Sequence, residues 1–130
     1  MTLNREDILK VKDIRVERLF VPEWGGEIFV KGLTGAERDN FESSIISMRG
    51  TKQKIDMENV RAKLAALSIC DEEGSRMFAA TDALALAQKS ASALQRIFIV
   101  AQRLSGLTEA DVNELTEELK ANPLGDSLID

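Results

Sequence analysis

Few side chains in this chain of 130 residues have types and spacings that could carry chemistry. The chain contains no histidine, which excludes Ser-His-Asp and Cys-His nucleophiles and imidazole acid–base catalysis. The acidic run Asp71-Glu72-Glu73-Gly74 lacks the alternating ligand spacing of a calcium loop. We therefore predict no catalytic, cofactor-binding or metal-ligating residue, and a protein that is not an enzyme.

The single cysteine, Cys70, excludes a disulfide within the chain and a classical zinc site. It follows a predicted helix, stands beside acidic residues and has no nearby base in the sequence. These surroundings predict a raised thiol pKa and an unreactive thiol.

Charge is unevenly distributed along the chain. The formal net charge is −5, but residues 109–130 alone carry seven acidic side chains and one lysine. A basic cluster at Arg49, Lys52, Lys54, Arg61 and Lys63 is interrupted by acids and has no interleaved aromatics. The apolar stretches are far shorter than the ~20 residues of a membrane span, and the N-terminus is polar. We expect a cytosolic protein that binds neither nucleic acid nor membrane.

The residue pattern in the first third of the chain predicts a short helix followed by a β-hairpin. Thr2 or Asn4 is expected to cap that helix. Residues 14–21 and 27–31 have the β-branched and aromatic composition of strands, and 22–26 (PEWGG) has that of a turn. Ile14 and Val16 occupy even positions, whereas Leu19 and Val21 occupy odd ones. This change of the apolar face along the strand predicts a β-bulge near Glu17 and Arg18.

Beyond Leu33 the pattern predicts helices only. The predicted N-caps are Thr34, Asp56, Thr81, Ser90 and Thr108. The predicted helix ends are Gly50, residues 71–74, Gly106 and Asn122-Pro123. The apolar stripes are Phe41/Ile45/Met48, Met57/Val60/Leu64/Leu67, Leu94/Ile97/Phe98/Ala101/Leu104 and Val112/Leu115/Leu119. We expect an α+β fold, mostly α, with an N-terminal β-hairpin followed by a bundle of about five helices. A single domain over residues 1–122 and a frayed tail at 123–130 are predicted.

Four apolar residues do not fit one core face and are predicted as partner contacts. Ile46, Ile69 and Ile99 fall outside the apolar stripes of their predicted helices. Trp24 lies in a Pro/Gly turn, where an exposed indole would suit an interface. The alternative is that the central helices are packed on both sides, and that Trp24 covers the end of the hairpin.

Six short patterns, taken in order, resemble the tail assembly chaperones of long-tailed bacteriophages. They are residues 21–26 (VPEWGG), 33–38 (LTGAER), 58–62 (ENVRA), 70–74 (CDEEG), 89–94 (KSASAL) and 104–108 (LSGLT). The resemblance extends over about residues 14–119.

This resemblance implies a non-enzymatic chaperone without cofactors, in the cytoplasm of the infected bacterial host and absent from the mature virion. Its client would be the tape measure protein, kept soluble while tail tube subunits polymerise around it. Tail tube subunits would be recruited by a longer product of translational frameshifting. A homo-oligomer is expected, since many weak sites gain avidity along one client. The alternatives are a structural or connector subunit retained in the virion, or a small regulator of a host protein.

Overall fold

The structure, a computed structural model, describes residues 1–49, 52–55 and 59–107, with the backbone alone described at 46–49 and 52–55. It has the expected α+β architecture, mostly α. The helices are α1 (Arg5–Lys10), α2 (Gly35–Ser44), α3 (Val60–Ser68), α4 (Ala83–Leu86) and α5 (Ala91–Leu104). The strands are β1 (Val16–Val21), β2 (Gly26–Lys31), β3 (Ile46–Arg49), β4 (Lys52–Ile55) and β5 (Ile69–Cys70).

The predicted hairpin is confirmed, but the predicted bulge is wrong. β1 and β2 pair antiparallel in unbroken register from Val16 opposite Lys31 to Val21 opposite Gly26. β5 pairs with the other edge of β2, which gives the sheet order β1-β2-β5. No bulge is needed because Glu17 shares the inner face with Leu19 and Val21, while Val16 stays exposed on the outer face.

Local capping chemistry fixes several helix starts as predicted. Asn4 and Thr34 form capping boxes with Asp7 and Glu37, and the Ser90 side chain accepts a hydrogen bond from the backbone N–H of Ala93. Gly106 follows α5 with a φ of 72°, the left-handed conformation that suits glycine at a helix end.

The prediction that Thr81 caps a helix is wrong. The chain enters α4 through a 3₁₀ turn at Ala80–Asp82, and the carboxylate of Asp82 accepts from the N–H of Ala79. Thr81 therefore lies inside the turn. The predicted caps Asp56 and Thr108, and the tail at 123–130, lie outside the described residues.

The expectation of helices alone beyond Leu33 is also wrong. α2 ends at Ser44, whose hydroxyl donates to the carbonyl of Phe41 at 2.7 Å, and Ile46 begins strand β3. β3 pairs antiparallel with β4, with Ile46 opposite Ile55. The stripe that predicted a helix through Met48 instead falls partly on a strand, because consecutive β-branched residues favour extended backbone.

Helix α5 lies at the centre of the fold. It contacts both strands of the hairpin on one side and α3 on the other. Ala93, Ile97 and Ala101 are 0% exposed along this helix. The core around them contains Phe41 and Ile45 from the end of α2, Leu64 and Ala65 from α3, and Val30 from β2.

The contact between α5 and the sheet depends on a residue without a side chain. A Cβ atom built on Gly32 would lie 2.5 Å from the backbone oxygen of Leu104. The next residue, Leu33, donates its N–H to the hydroxyl of Ser105 at 2.9 Å. The end of β2 is thereby held directly against the C-terminal end of α5.

We expect Gly32→Ala to destabilise the protein by about 2–3 kcal/mol, because helix and strand would have to separate. Gly35→Ala is the matched control, since its Cβ would meet nothing within 4 Å. That change should be neutral or stabilise by about 0.5 kcal/mol. Urea unfolding of both variants measures the difference, and equal stabilities would contradict the close approach.

A buried ion pair links β2 to α2. Lys31 is 5% exposed, and its Nζ donates to Oε1 of Glu37 at 2.6 Å. Partial burial acts to raise the pKa of Glu37, but hydrogen bonds from Lys31 and from the N–H of Thr34 outweigh it, and the pKa is lowered overall. A single carboxylate therefore neutralises a buried lysine and caps a helix.

Glu37→Gln should destabilise the fold at neutral pH by about 2–3 kcal/mol, because the charge-assisted hydrogen bond to a buried ammonium is lost. Glu42→Gln on the same helix is the control. Glu42 pairs with Arg38 at a largely exposed position, where the expected cost is under about 0.5 kcal/mol.

The contribution of Glu37 is also pH-dependent. Because its folded-state pKa is depressed, the stabilisation is present above the unfolded value of 4.5 and is lost as the pH falls through the folded pKa. The stability gap between wild type and Glu37→Gln should therefore shrink below pH 4.5. A gap that stays constant down to acid pH would mean that ionised Glu37 contributes nothing.

Candidate functional site

Of the three predicted contact residues whose side chains the structure describes, Ile99 is the one that lies mainly in solvent. It projects from the outer face of α5 and is 54% exposed. It lines a depression of about 580 Å³ together with Arg61, Ala91, Ser92, Gln95 and Arg96. A bulky apolar side chain between arginines and glutamine suits contact with another apolar surface.

Ile69 is not a surface residue, contrary to the hypothesis that it contacts a partner. It is 1% exposed, because it lies in β5, paired opposite Val30, and its side chain belongs to the core. Ile46 lies on strand β3 rather than on a helix, and its side chain is outside the described part of the chain.

Trp24 covers the end of the hairpin, which was the alternative to an exposed anchor. It ends a 3₁₀ turn that begins at Pro22, and Gly25 follows with a φ of 72°. The indole is half-buried and packs against the core. Phe20, from the preceding strand, is 56% exposed.

Two arginines of α5 fix the helix to the hairpin on the side away from α3. Arg103 donates two hydrogen bonds of 2.8 Å to the carboxylate of Glu17, and Arg96 donates to Glu23 at 3.0 Å. Hydrogen bonding to these guanidinium groups lowers the pKa of both carboxylates. Glu17 points inward from an edge strand, an arrangement that discourages edge-to-edge pairing.

Exposed apolar side chains are concentrated near the N-terminus. Of the eleven large apolar residues that are exposed in the described part of the chain, eight lie within the first 20 positions. All six residues of α1 are described, and none of them is buried. We call six of the eight the N-terminal strip: Ile8, Leu9, Val11, Ile14, Val16 and Phe20.

Sequence reasoning assigned these residues to a short helix and a strand and named none of them as a partner contact. Two features of this part of the chain nevertheless indicate that these residues are exposed. Helix α1 is only six residues long, and the residues from Ile14 to Phe20 are apolar on both faces of β1. An edge strand with apolar residues on both faces leaves one set without cover.

Basic residues alternate with the apolar ones along the strip. Residues 8–20 contain Lys10, Lys12, Arg15 and Arg18, against two acids. One of these acids, Glu17, is already paired with Arg103. The strip is therefore suited to a partner with apolar side chains and an excess of carboxylates.

A second apolar feature, a groove of about 350 Å³, lies between α2, α3 and α4. Phe41, Leu67, Ala83 and Leu84 form much of its lining, and Leu84 is 69% exposed. Lys63 lies in the lining and donates to the carbonyl of Ser44 at 2.9 Å. Because no carboxylate, cysteine or histidine lines the groove, its described lining offers contact rather than acid–base chemistry.

The described residues offer neither a metal site nor a membrane-spanning helix. No cluster of three or more His, Cys, Asp or Glu side chains is placed to hold a metal ion. Among the helices in the described ranges, none is both long and apolar enough to cross a membrane.

No protein-family model matches this chain, and neither a curated protein nor a solved structure is significantly similar to it.

Burial makes Cys70 inert. It is 0% exposed, and desolvation, reinforced by Asp71 and only partly opposed by Lys31, raises the pKa of its thiol. We expect iodoacetamide to alkylate native Cys70 at pH 8 roughly a hundredfold more slowly than the urea-unfolded chain. Leu84→Cys supplies an exposed thiol in the same molecule as the control. Equal rates for the two thiols in the native protein would contradict the burial.

Proposed function

We propose that this protein is a non-enzymatic phage tail assembly chaperone that binds the tape measure protein. It keeps this client soluble while tail tube subunits polymerise around it. The proposal combines the resemblance of the six sequence patterns to that family with the surface chemistry of the fold. The N-terminal strip is the observation that carries the proposal.

The strip supports a binding role because its apolar groups have no cover within the described fold. Exposing large apolar side chains to water costs about 25 cal/mol for each Å² that a partner could bury. Leu9 is 65% exposed and Ile8 is 55% exposed on a helix with no buried side chain. A helix of six residues is marginal in water by itself, so contact with a client would also stabilise α1.

The strip suits a long, aggregation-prone client that offers many similar segments. Each contact would be small and weak, but copies arranged along one client gain affinity through effective concentration. Lys10, Lys12 and Arg15 would guide client segments that combine apolar and acidic residues. We propose that the chaperone self-associates when it is aligned on the client, and that a longer frameshifted product recruits tail tube subunits.

The site of action in this proposal is the cytoplasm of the infected bacterium, and the protein leaves before the virion is complete. Detection of the protein in purified particles would contradict the proposal and favour the alternative of a retained structural or connector subunit. Capture of a host protein in place of a tail component would favour a regulator.

Co-expression with the tape measure protein of the same phage tests the proposal. Leu9→Asp should reduce the soluble fraction of the client by roughly half or more, because a charge is placed at the centre of the apolar contact. Leu84→Asp is the matched control: Leu84 is 69% exposed, close to the 65% of Leu9, but lies at the α2–α3–α4 groove.

The client should remain soluble with Leu84→Asp, and both variants should keep the wild-type melting temperature. If folded Leu9→Asp protects the client as well as wild type does, the strip is not the binding surface. If wild type itself leaves the client insoluble, the chaperone function is refuted.

A further inference from the structure

Strand β1 forms one edge of the hairpin sheet. The strand order is β1-β2-β5, so β2 pairs with one side of β1, and no strand of the described ranges pairs with the other side. We propose that this edge binds an extended segment of a partner protein, which adds to the sheet as a further antiparallel strand. The segment carries an acidic residue between two apolar ones, at alternate positions. The inference rests on the proposed function only for the identity of the partner, which would be the client.

The register of the hairpin shows which backbone groups of β1 point to the open edge. The N–H of Gly32 donates to the carbonyl of Arg15 at 3.0 Å, so these two residues form a hydrogen-bonded pair. Hydrogen-bonded and non-hydrogen-bonded pairs alternate along an antiparallel ladder. Alternate backbone groups of β1 therefore point to β2, and those of Val16, Arg18 and Phe20 point to the open edge.

β1 is long and regular enough to serve as a template for another strand. It has six residues in unbroken register and contains no proline. Outside the hairpin ladder, no hydrogen bond among the described residues uses the main chain of Val16, Arg18 or Phe20. Their N–H and C=O groups are thus available to an extended peptide, whose main-chain hydrogen bonds supply the affinity in strand addition.

The side chains of the same three residues define what the segment must carry. Val16 and Phe20 are 37% and 56% exposed, and Arg18 lies between them with 60% of its side chain exposed. Residues directly opposite each other in an antiparallel pair share one face of the sheet and make contact. Apolar residues therefore suit the positions opposite Val16 and Phe20, and an acidic residue suits the position opposite Arg18.

The guanidinium of Arg18 is accessible to a carboxylate of the partner. It lies 3.6 Å from Glu27, with more than half of each side chain exposed, a geometry in which an ion pair is weak. It also lies 5.5 Å from the ring centroid of Phe29. Residues 10–18 carry four basic and two acidic side chains, so the surroundings of the edge favour an acidic segment.

A depression beside Val16 can receive one of the apolar side chains of the segment. It has a volume of about 270 Å³, and Val11, Ile14 and Val16 form the apolar part of its lining. Lys31, which is paired opposite Val16, also lines it. In strand addition, pockets for alternate side chains provide the specificity that main-chain hydrogen bonds do not.

A second copy of β1 fits this edge poorly. In the symmetric antiparallel register that uses all three edge residues, Arg18 would lie opposite Arg18 of the second copy. In the neighbouring register, Glu17 would lie opposite Glu17. Like charges directly opposite each other are destabilising. The occupant is therefore a segment of different sequence.

Hydrogen exchange in the presence of a synthetic peptide tests strand addition to the full-length protein. The peptide has valine, glutamate and valine at alternate positions, separated by threonine to favour extended backbone. At saturation, the amides of Val16, Arg18 and Phe20 should exchange on the order of tenfold more slowly. The amides of Glu17 and Leu19 face β2 and should change by less than about twofold.

Two modified peptides separate main-chain pairing from apolar contact alone. N-methylation of the valine and glutamate amides, which would face β1, should abolish the slowing of exchange at the edge. The same modification of the threonine amides, which would face away from β1, should leave it intact. Equal binding of the two modified peptides would contradict strand addition.

A charge exchange tests the position opposite Arg18. Lysine in place of the glutamate in the peptide should weaken binding to wild type on the order of fivefold, and Arg18→Glu should reverse this preference. Arg38→Glu is the matched control, because Arg38 is also exposed and paired with one glutamate but lies on α2. It should keep the wild-type preference. A preference that Arg18→Glu leaves unchanged would contradict the assignment of Arg18.

These outcomes are distinct from those of the client co-expression. If the three edge amides are unaffected by the peptide, or are already protected in the free protein, strand addition at β1 is refuted even where the client stays soluble. If the client is insoluble with wild type but the peptide protects the edge amides, strand addition stands and the partner is a protein other than the client.

Discussion

The close approach of α5 to the end of β2 is the constraint on which the other tertiary contacts depend. At Gly32 the strand backbone comes so near the Leu104 carbonyl that a Cβ atom would not fit. This contact brings the buried face of α5, with Ile97 and Ala101, onto the hairpin while its other side meets α3. Small residues on both helices allow this packing, because Ala62, Ala65 and Ala66 of α3 are almost fully buried.

Polar interactions support the orientation that apolar packing gives to α5. Arg103 and Arg96 bind Glu17 and Glu23, so α5 cannot rotate about its axis without breaking two charged contacts. This orientation buries Ile97 and leaves Ile99 exposed. Surface pairs of this kind add little stability, so the buried stripe of Ala93, Ile97 and Ala101 decides which face of the helix is presented to solvent. The proposed client strip lies on other elements, α1 and β1.

Local chemistry was predictable where one or two residues decide the outcome. The Asn4, Thr34 and Ser90 caps and the glycine turn after α5 were read correctly, because each depends on a side chain within three or four positions. The prediction failed at Ile45-Ile46, where β-branched residues at helical spacing also suit a strand. It failed again at β1, where Glu17 was not expected on the inner face, because its partner Arg103 is 86 positions away.

The sequence by itself determined the absence of histidine and disulfide chemistry, the acidic character of residues 109–130, and the α+β composition of the fold, because these follow from residue types and short spacings. Only the tertiary structure decided which apolar residues contact water. Ile69 is buried because β5 adds to the hairpin sheet. The N-terminal strip is exposed because no other described element covers α1 or the outer face of β1. Exposure depends on contacts between distant segments, and no local pattern specifies those contacts.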